Sequence, residues 1–242
     1  MVVDLFLYFT IYSFFGWLLE TAYASVKQRK FINRGFLIGP FTPIYGFSAI
    51  LIIISSKLII NIFGDYSKSS ISLLMSIFVS TLFVTLLELI TGYILEKSFN
   101  AKWWDYSEEP LNFKGYICLR FSLLWGILSF LLIHIVHPKI VNFVKVIPDA
   151  FKVFVAIFIF MYFIFDTYKS IENTLDLRKT IFDYSELPLA KYKEKILKYK
   201  RIFLAFPRLQ NLNEEIKNRD VRSIINGGIN KIKVKIKNRF QT

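Results

Sequence analysis

Apolar residues come in long runs along this chain, with polar residues confined to short intervals between them. Leu5 to Val26 and Phe151 to Phe165 are the clearest runs. About 20 such residues, rising ~1.5 Å each as a helix, cross ~30 Å of hydrocarbon. The pattern predicts five spans, at residues 5–26, 40–63, 70–96, 116–137 and 148–168. The expected fold is an all-α, polytopic membrane helix bundle over residues 1–168 with a tail over 169–242. Ala22-Tyr23-Ala24 imitates a signal-peptide cleavage site, but Met-Val-Val-Asp is not a basic leader and the first run is too long. The first span is therefore expected to be retained.

Composition agrees. The chain is 54% hydrophobic and 18% aromatic with only 10 Gly and 7 Pro, a balance that a soluble domain could hardly hide from water. A single cysteine, Cys118, leaves no intrachain disulfide and no cysteine-based metal cage. The net charge of +13 sits mostly in the tail, where 18 Lys and Arg face 8 Asp and Glu over residues 169–242. On a membrane-tethered chain this implies a partner in anionic lipid, not nucleic acid. Lys27, Arg29, Lys30 and Arg34 in the first loop, Lys97, Lys102 and Lys114 with nearby Arg120 in the third, and the tail all fall on one side of a five-span chain. That side is expected to be cytoplasmic and the N-terminus outside, in the cell membrane, with Lys139, Lys145 and Lys152 dissenting. In the tail, Leu189, Tyr192, Ile196, Tyr199, Phe203 and Phe206 recur at helical spacing between lysines. They predict a basic amphipathic helix stopped by Pro207, and Ile225 to Phe240 reads as a second helical or partly disordered piece.

Some polar residues occupy places where lipid is expected. Glu20 and Glu88 lie ~9 and ~12 Å inside the cytoplasmic ends of their spans, while Glu96 sits at a boundary. A mid-membrane carboxylate costs several kcal/mol unless it faces protein, a partner or water. Glu20 and Glu88 are either packing carboxylates or part of a polar cavity, whereas Glu96 can snorkel to the boundary. In "FINRGFLIGPFTPIYG", residues 31–46, the turn-prone Asn33-Arg34-Gly35 and Gly39-Pro40 predict irregular backbone at membrane depth. Arg34 offers a planar fork for carboxylate or phosphate, or is only a positive-inside anchor. "WWDYS" pairs Trp103 and Trp104, as in an interfacial aromatic belt, with Asp105 and Tyr106. Asp105 and Asn112 are hydrogen-bonding candidates for a lid or floor over the same mouth. The candidate polar site is thus Glu20, Asn33, Arg34, Glu88, Asp105, Tyr106 and Asn112. His134 and His137 are one turn apart with no third ligand nearby, so no metal is expected. No Gly-Lys-Ser/Thr phosphate loop is present, and no cofactor is implied.

Gly16-Trp17-Leu18-Leu19-Glu20, "NRGFLIGPFTPIYG" at 33–46, "LLELITGYILEKSF" at 86–99, "WWDYS" at 103–107 and "NFKGYICL" at 112–119 together resemble the bacterial type IV ABC-transporter permeases over about residues 5–138. The pattern usually has Arg where this chain has Tyr116, with Arg120 one turn further on. The resemblance implies transport, and with it an ATPase or other partner subunit. Five spans make a small pathway, which calls for an oligomer or a second subunit. Two other readings compete: a membrane enzyme acting on a lipid or isoprenoid headgroup, with Glu20 or Glu88 as base and Arg34 on phosphate, and a non-catalytic scaffold or sensor. Single cysteines placed at 108, in the loop that follows Trp103 and Trp104, and in the tail of a Cys118→Ser chain should react with an impermeant maleimide only from the cytoplasmic side. Labelling from outside would reverse the orientation.

Overall fold

The computed structural model describes residues 2–66, 70–182, 197–206 and 210–211. Its body is all-α. Helices α1 (Val2–Gln28), α2 (Pro43–Phe63) and α3 (Ser70–Phe99) precede a loop carrying three two-residue strands. These are β1 (Ala101–Lys102), β2 (Asn112–Phe113) and β3 (Ile117–Cys118), and β2 pairs antiparallel with β3. Helix α4 (Leu119–Leu131), a π turn (Leu132–Val136) and α5 (His137–Val146) then make one continuous span, and α6 (Asp149–Phe182) follows. A short α7 (Lys200–Ala205) leads to β4 (Gln210–Asn211), which pairs with β1. Among the described residues, five helical spans are long and apolar enough to cross a membrane.

Helices α1 to α4 pack in sequence order, and α6 returns to α1 and α3. The α3 sequence shows why. Ser72, Ser76, Ser80, Val84, Glu88 and Gly92, each four residues apart, form its buried row. Leu74, Phe78, Leu82, Leu86 and Ile90, at the same spacing on another face, are exposed to the surroundings. In lipid there is no hydrophobic force to bring helices together, so close approach of small residues and interhelical hydroxyl bonds take over. Ser55 and Ser80 meet at 3.1 Å, and the Tyr66 hydroxyl joins Ser56 to Ser76. On the α1–α2 contact, a side chain at Gly16 would overlap Tyr45, and one at Gly46 would overlap Ser13 and Phe9.

Two spans differ from the sequence expectation. The fourth, expected to end at 137, continues to Val146 because the π turn absorbs Pro138. Proline lacks an N–H and clashes with the carbonyl four residues back, and the widened turn, in which the His137 N–H reaches the Leu132 carbonyl, makes room for it. Lys139 and Lys145 are therefore helical, and the fourth loop shrinks to Ile147-Pro148. Lys152, one of the dissenting cations, is held by Asp4 at 3.2 Å and Asp149 at 3.1 Å, so its charge is compensated within the protein. The fifth helix, expected to stop at 168, has 34 residues and is ~51 Å long, well beyond the hydrocarbon thickness. In the tail, residues 189–196 and 207–209 and the piece around Ile225 lie outside the described residues; 197–206 are helical apart from a turn at Tyr199 and the terminal Phe206.

Gly46→Ala should destabilise the detergent-solubilised protein by roughly 1–3 kcal/mol through overpacking at Phe9 and Ser13, while Leu82→Ala on an exposed face should do much less. Equal melting temperatures for the two variants would show that α1 and α2 are not this close.

Candidate functional site

The segment between α1 and α2 has no regular ladder, and side chains and single carbonyls take up several of its backbone groups instead. Ile32 N–H donates to Ser25 Oγ at 3.0 Å, Arg34 N–H to Thr21 Oγ1 at 3.2 Å and Thr42 N–H to the Ser13 carbonyl at 2.9 Å. Ile38 and Gly39 N–H donate to the two oxygens of Asp166 on α6, at 3.0 and 2.9 Å. From the opposite side, the Arg201 guanidinium on α7 donates to the carbonyls of Gly35, Leu37 and Phe36 at 3.2, 3.0 and 3.4 Å. Burial lowers the Arg201 pKa from its ordinary value and nearby Asp166 opposes that, but an arginine stays charged. Gly39 is required where it lies, since a side chain there would overlap the Tyr162 hydroxyl and Asp166.

This segment delivers Arg34 to Glu20. Arg34 Nε lies 3.0 Å from Glu20 Oε2, with the side chains 31% and 30% exposed, so the pair is accessible at the bundle end. Asn33 accepts from Trp17 Nε1 at 2.6 Å and donates to the Ile38 carbonyl at 2.6 Å, which fixes the turn beside Arg34. Tyr45 donates to the other Glu20 oxygen at 2.7 Å, and its ring lies 5.6 Å from Trp125. Trp125 Nε1 donates to Glu88 Oε2 at 3.1 Å, and the Tyr106 hydroxyl donates to Oε1 at 3.2 Å. Glu88, at 6% exposure, is enclosed. The result is one polar row: Arg34, Glu20, Tyr45, Trp125, Glu88 and Tyr106. Burial first, then the Glu88 charge and hydrogen bond, and then the Glu20 charge hold the Tyr106 hydroxyl well above the ordinary phenol range, so it remains a donor.

Asp105 and Asn112 do other work. Asp105 Oδ1 accepts from Ser107 Oγ at 2.6 Å and from Ser107 N–H at 3.1 Å, and Lys102 stands 3.9 Å away. Asn112 donates to the Ser107 and Glu109 carbonyls and accepts from Gly115 N–H at 3.2 Å. Gly115 has φ +74°, and a side chain there would overlap Asp105 and Ser107, so only glycine closes this turn comfortably. Together these bonds shape the loop that presents Tyr106. Trp104 Nε1 donates to the Tyr116 carbonyl at 2.8 Å. Tyr116 contacts Glu96 and lies under Lys102, and burial followed by the Glu96 hydrogen bond pushes its hydroxyl up to about 12. Arg120 turns away to Glu109 at 3.5 Å.

Trp103 is buried. It packs edge-on against Phe36 at 5.3 Å and Phe206 at 4.7 Å, in a cluster with Phe99, Leu177, Tyr199 and Ile202. The Tyr199 hydroxyl bonds Asp176 on α6. Residues 197–206 therefore tie together the 29–42 segment, the 100–118 loop and the far end of α6. Sequence reasoning did not single out Tyr45, Trp125, Asp166 or Arg201. Asp166 carried a visible signal, an acid directly after Phe-Ile-Phe inside an apolar run; Arg201 carried none, being one cation among many.

An all-α bundle with five membrane-length helices and an internal row of charged and hydroxyl groups is a multi-pass membrane protein. Residues 7–171 match the family described as "Putative ABC-transporter type IV", and the chain belongs to that family. The match places it among membrane transporter-type proteins and reaches past α5 into α6, further than the motif resemblance did. No solved structure matches the chain.

Arg201→Ala should cost about 2–3 kcal/mol by orphaning carbonyls of residues 35–37, with Arg201→Lys recovering part. Thermal melting and tryptic cleavage near Lys30 report it; an unchanged melt and digest would show that these bonds contribute nothing.

Proposed function

We propose that the chain is the permease-type subunit of a transporter, with residues 1–168 as its membrane body and 169–242 as a cytoplasmic tail. The end bearing residues 29–42 and 100–118 faces the cytoplasm, and Glu20–Arg34 is the pair that a solute meets first. Asn33 sets the turn carrying Arg34, and Asp105 and Asn112 shape the loop that brings Tyr106 to Glu88. The observation that carries this reading is the partly exposed ion pair, continued inward by Tyr45 and Trp125 to a buried carboxylate. An ion pair with excess hydrogen-bonding capacity can open to take a polar solute without leaving a bare charge in a low dielectric. The short path calls for a second copy or subunit, and the basic tail suits docking of an ATPase partner.

Glu88 by itself favours the scaffold reading, because each oxygen already accepts from a neutral side chain. The two readings separate experimentally. With tagged full-length chain purified from its native membrane, an ATPase should co-purify. Glu20→Gln should lower its turnover by about tenfold, the kinetic equivalent of ~1.4 kcal/mol, while the assembly stays intact. Absence of any ATPase, or a variant that loses assembly without a change in turnover per complex, would return the polar row to a packing role.

A further inference from the structure

The Glu20–Arg34 pair lies beside a lipid-facing strip of α1, and that placement says what kind of molecule can reach it. Phe15, Leu19, Tyr23 and Val26, spaced by four, four and three residues, are 46, 62, 62 and 80% exposed. They form one stripe ending at the basic end of the helix. Arg34 Cζ lies 6.0 Å from the centre of the Tyr23 ring, and Lys27 Nζ lies 5.9 Å from the same ring. Two cations thus flank one aromatic at the end of the exposed apolar stripe. Glu20 engages Arg34 through Nε, and among the described residues no hydrogen-bond acceptor meets its two Nη groups. That leaves a fork of donors suited to the oxygens of a phosphate.

We infer that Arg34 and Lys27 form a binding site for the phosphate-bearing headgroup of an inner-leaflet lipid, whose acyl chains lie along the Phe15–Leu19–Tyr23 stripe. Nε stays on Glu20 while the outer edge of the same planar guanidinium, with its two Nη groups, is offered to phosphate, so the carboxylate orients the fork without being displaced. A solute free in water would gain nothing from the apolar stripe, whereas an amphiphile fills both parts at once. The inference rests on the proposed role of Glu20–Arg34 as the solute-facing group, and it gives that solute a class: an anionic, phosphate-bearing amphiphile entering sideways from the membrane.

The test uses the full chain in mixed micelles with phosphatidylglycerol or with diacylglycerol of the same acyl chains, and native mass spectrometry counts retained lipid. Phosphatidylglycerol should be retained over diacylglycerol. Lys27→Gln, an exposed change with little consequence for folding, and Arg34→Gln should each reduce retention roughly fivefold. Arg34→Lys, which keeps the charge but loses the fork, should fall between Arg34→Gln and the unmodified chain. Equal retention of both lipids, or no effect of Lys27→Gln, overturns the site. Displacement of phosphatidylglycerol by millimolar inorganic phosphate overturns the lipid assignment in favour of a free phosphate compound. Specific lipid retention by a chain that co-purifies with no ATPase would keep this site while removing the transporter reading, so the two failures are distinguishable.

Discussion

A stretch of chain with no helix and no sheet, placed at the end of a membrane bundle, is tolerable only if every amide finds a partner without bulk water. Residues 29–42 meet part of that requirement by borrowing two side chains from far away: Asp166 takes the Ile38 and Gly39 N–H groups from one side, and Arg201 gives to the carbonyls of residues 35–37 from the other. Remove either and the backbone must refold or draw in water, because an unsatisfied amide in apolar surroundings costs several kcal/mol. Arg34 reaches Glu20 only because this segment is fixed, and the Glu20–Tyr45–Trp125–Glu88 row is built from that point. Arg201 also explains why the chain must fold back over residues 197–206.

The helical body was readable from hydropathy alone, since lipid demands about the same apolar length of every span. Its limits were less readable. Pro138 and Lys139 mimic the end of a span, and only the π turn, a local backbone adjustment with no composition of its own, shows that the helix runs on to Val146. Likewise, Lys169 and Glu172 mark where α6 leaves apolar sequence, but not where it stops being a helix, because charged residues are good helix formers.

For the candidate site, intramembrane charge was a usable signal and interhelical partnership was not. Glu20, Arg34 and Glu88 stand out against their apolar neighbours. Tyr45 and Trp125 do not, because aromatics are abundant throughout, and nothing in the spacing of residues 45, 88, 106 and 125 shows that four separate elements meet. Trp103 shows the same limit from the other direction. A tandem tryptophan beside charged residues looks like a headgroup belt, yet Trp103 is enclosed by Phe36, Phe99 and Phe206, and the last of these contacts exists only because the chain returns from just over 100 residues downstream.

The length of α6 gives the molecule a lever. Near one end it is pinned by Lys152 to Asp4; near its middle Asp166 holds the 29–42 segment; beyond the bilayer Asp176 and Leu177 are gripped by Tyr199 and its neighbours. From Lys152 to Asp176 the helix measures ~36 Å, so a tilt of about 5° around the Lys152 anchor swings the far end by ~3 Å, one hydrogen-bond length. The same swing moves Asp166 by little more than half as much. A rigid rod held at three heights would convert a push on its protruding end into a smaller shift at the segment that carries Arg34, with its anchor at Lys152 and Asp4 at the other end of the bundle.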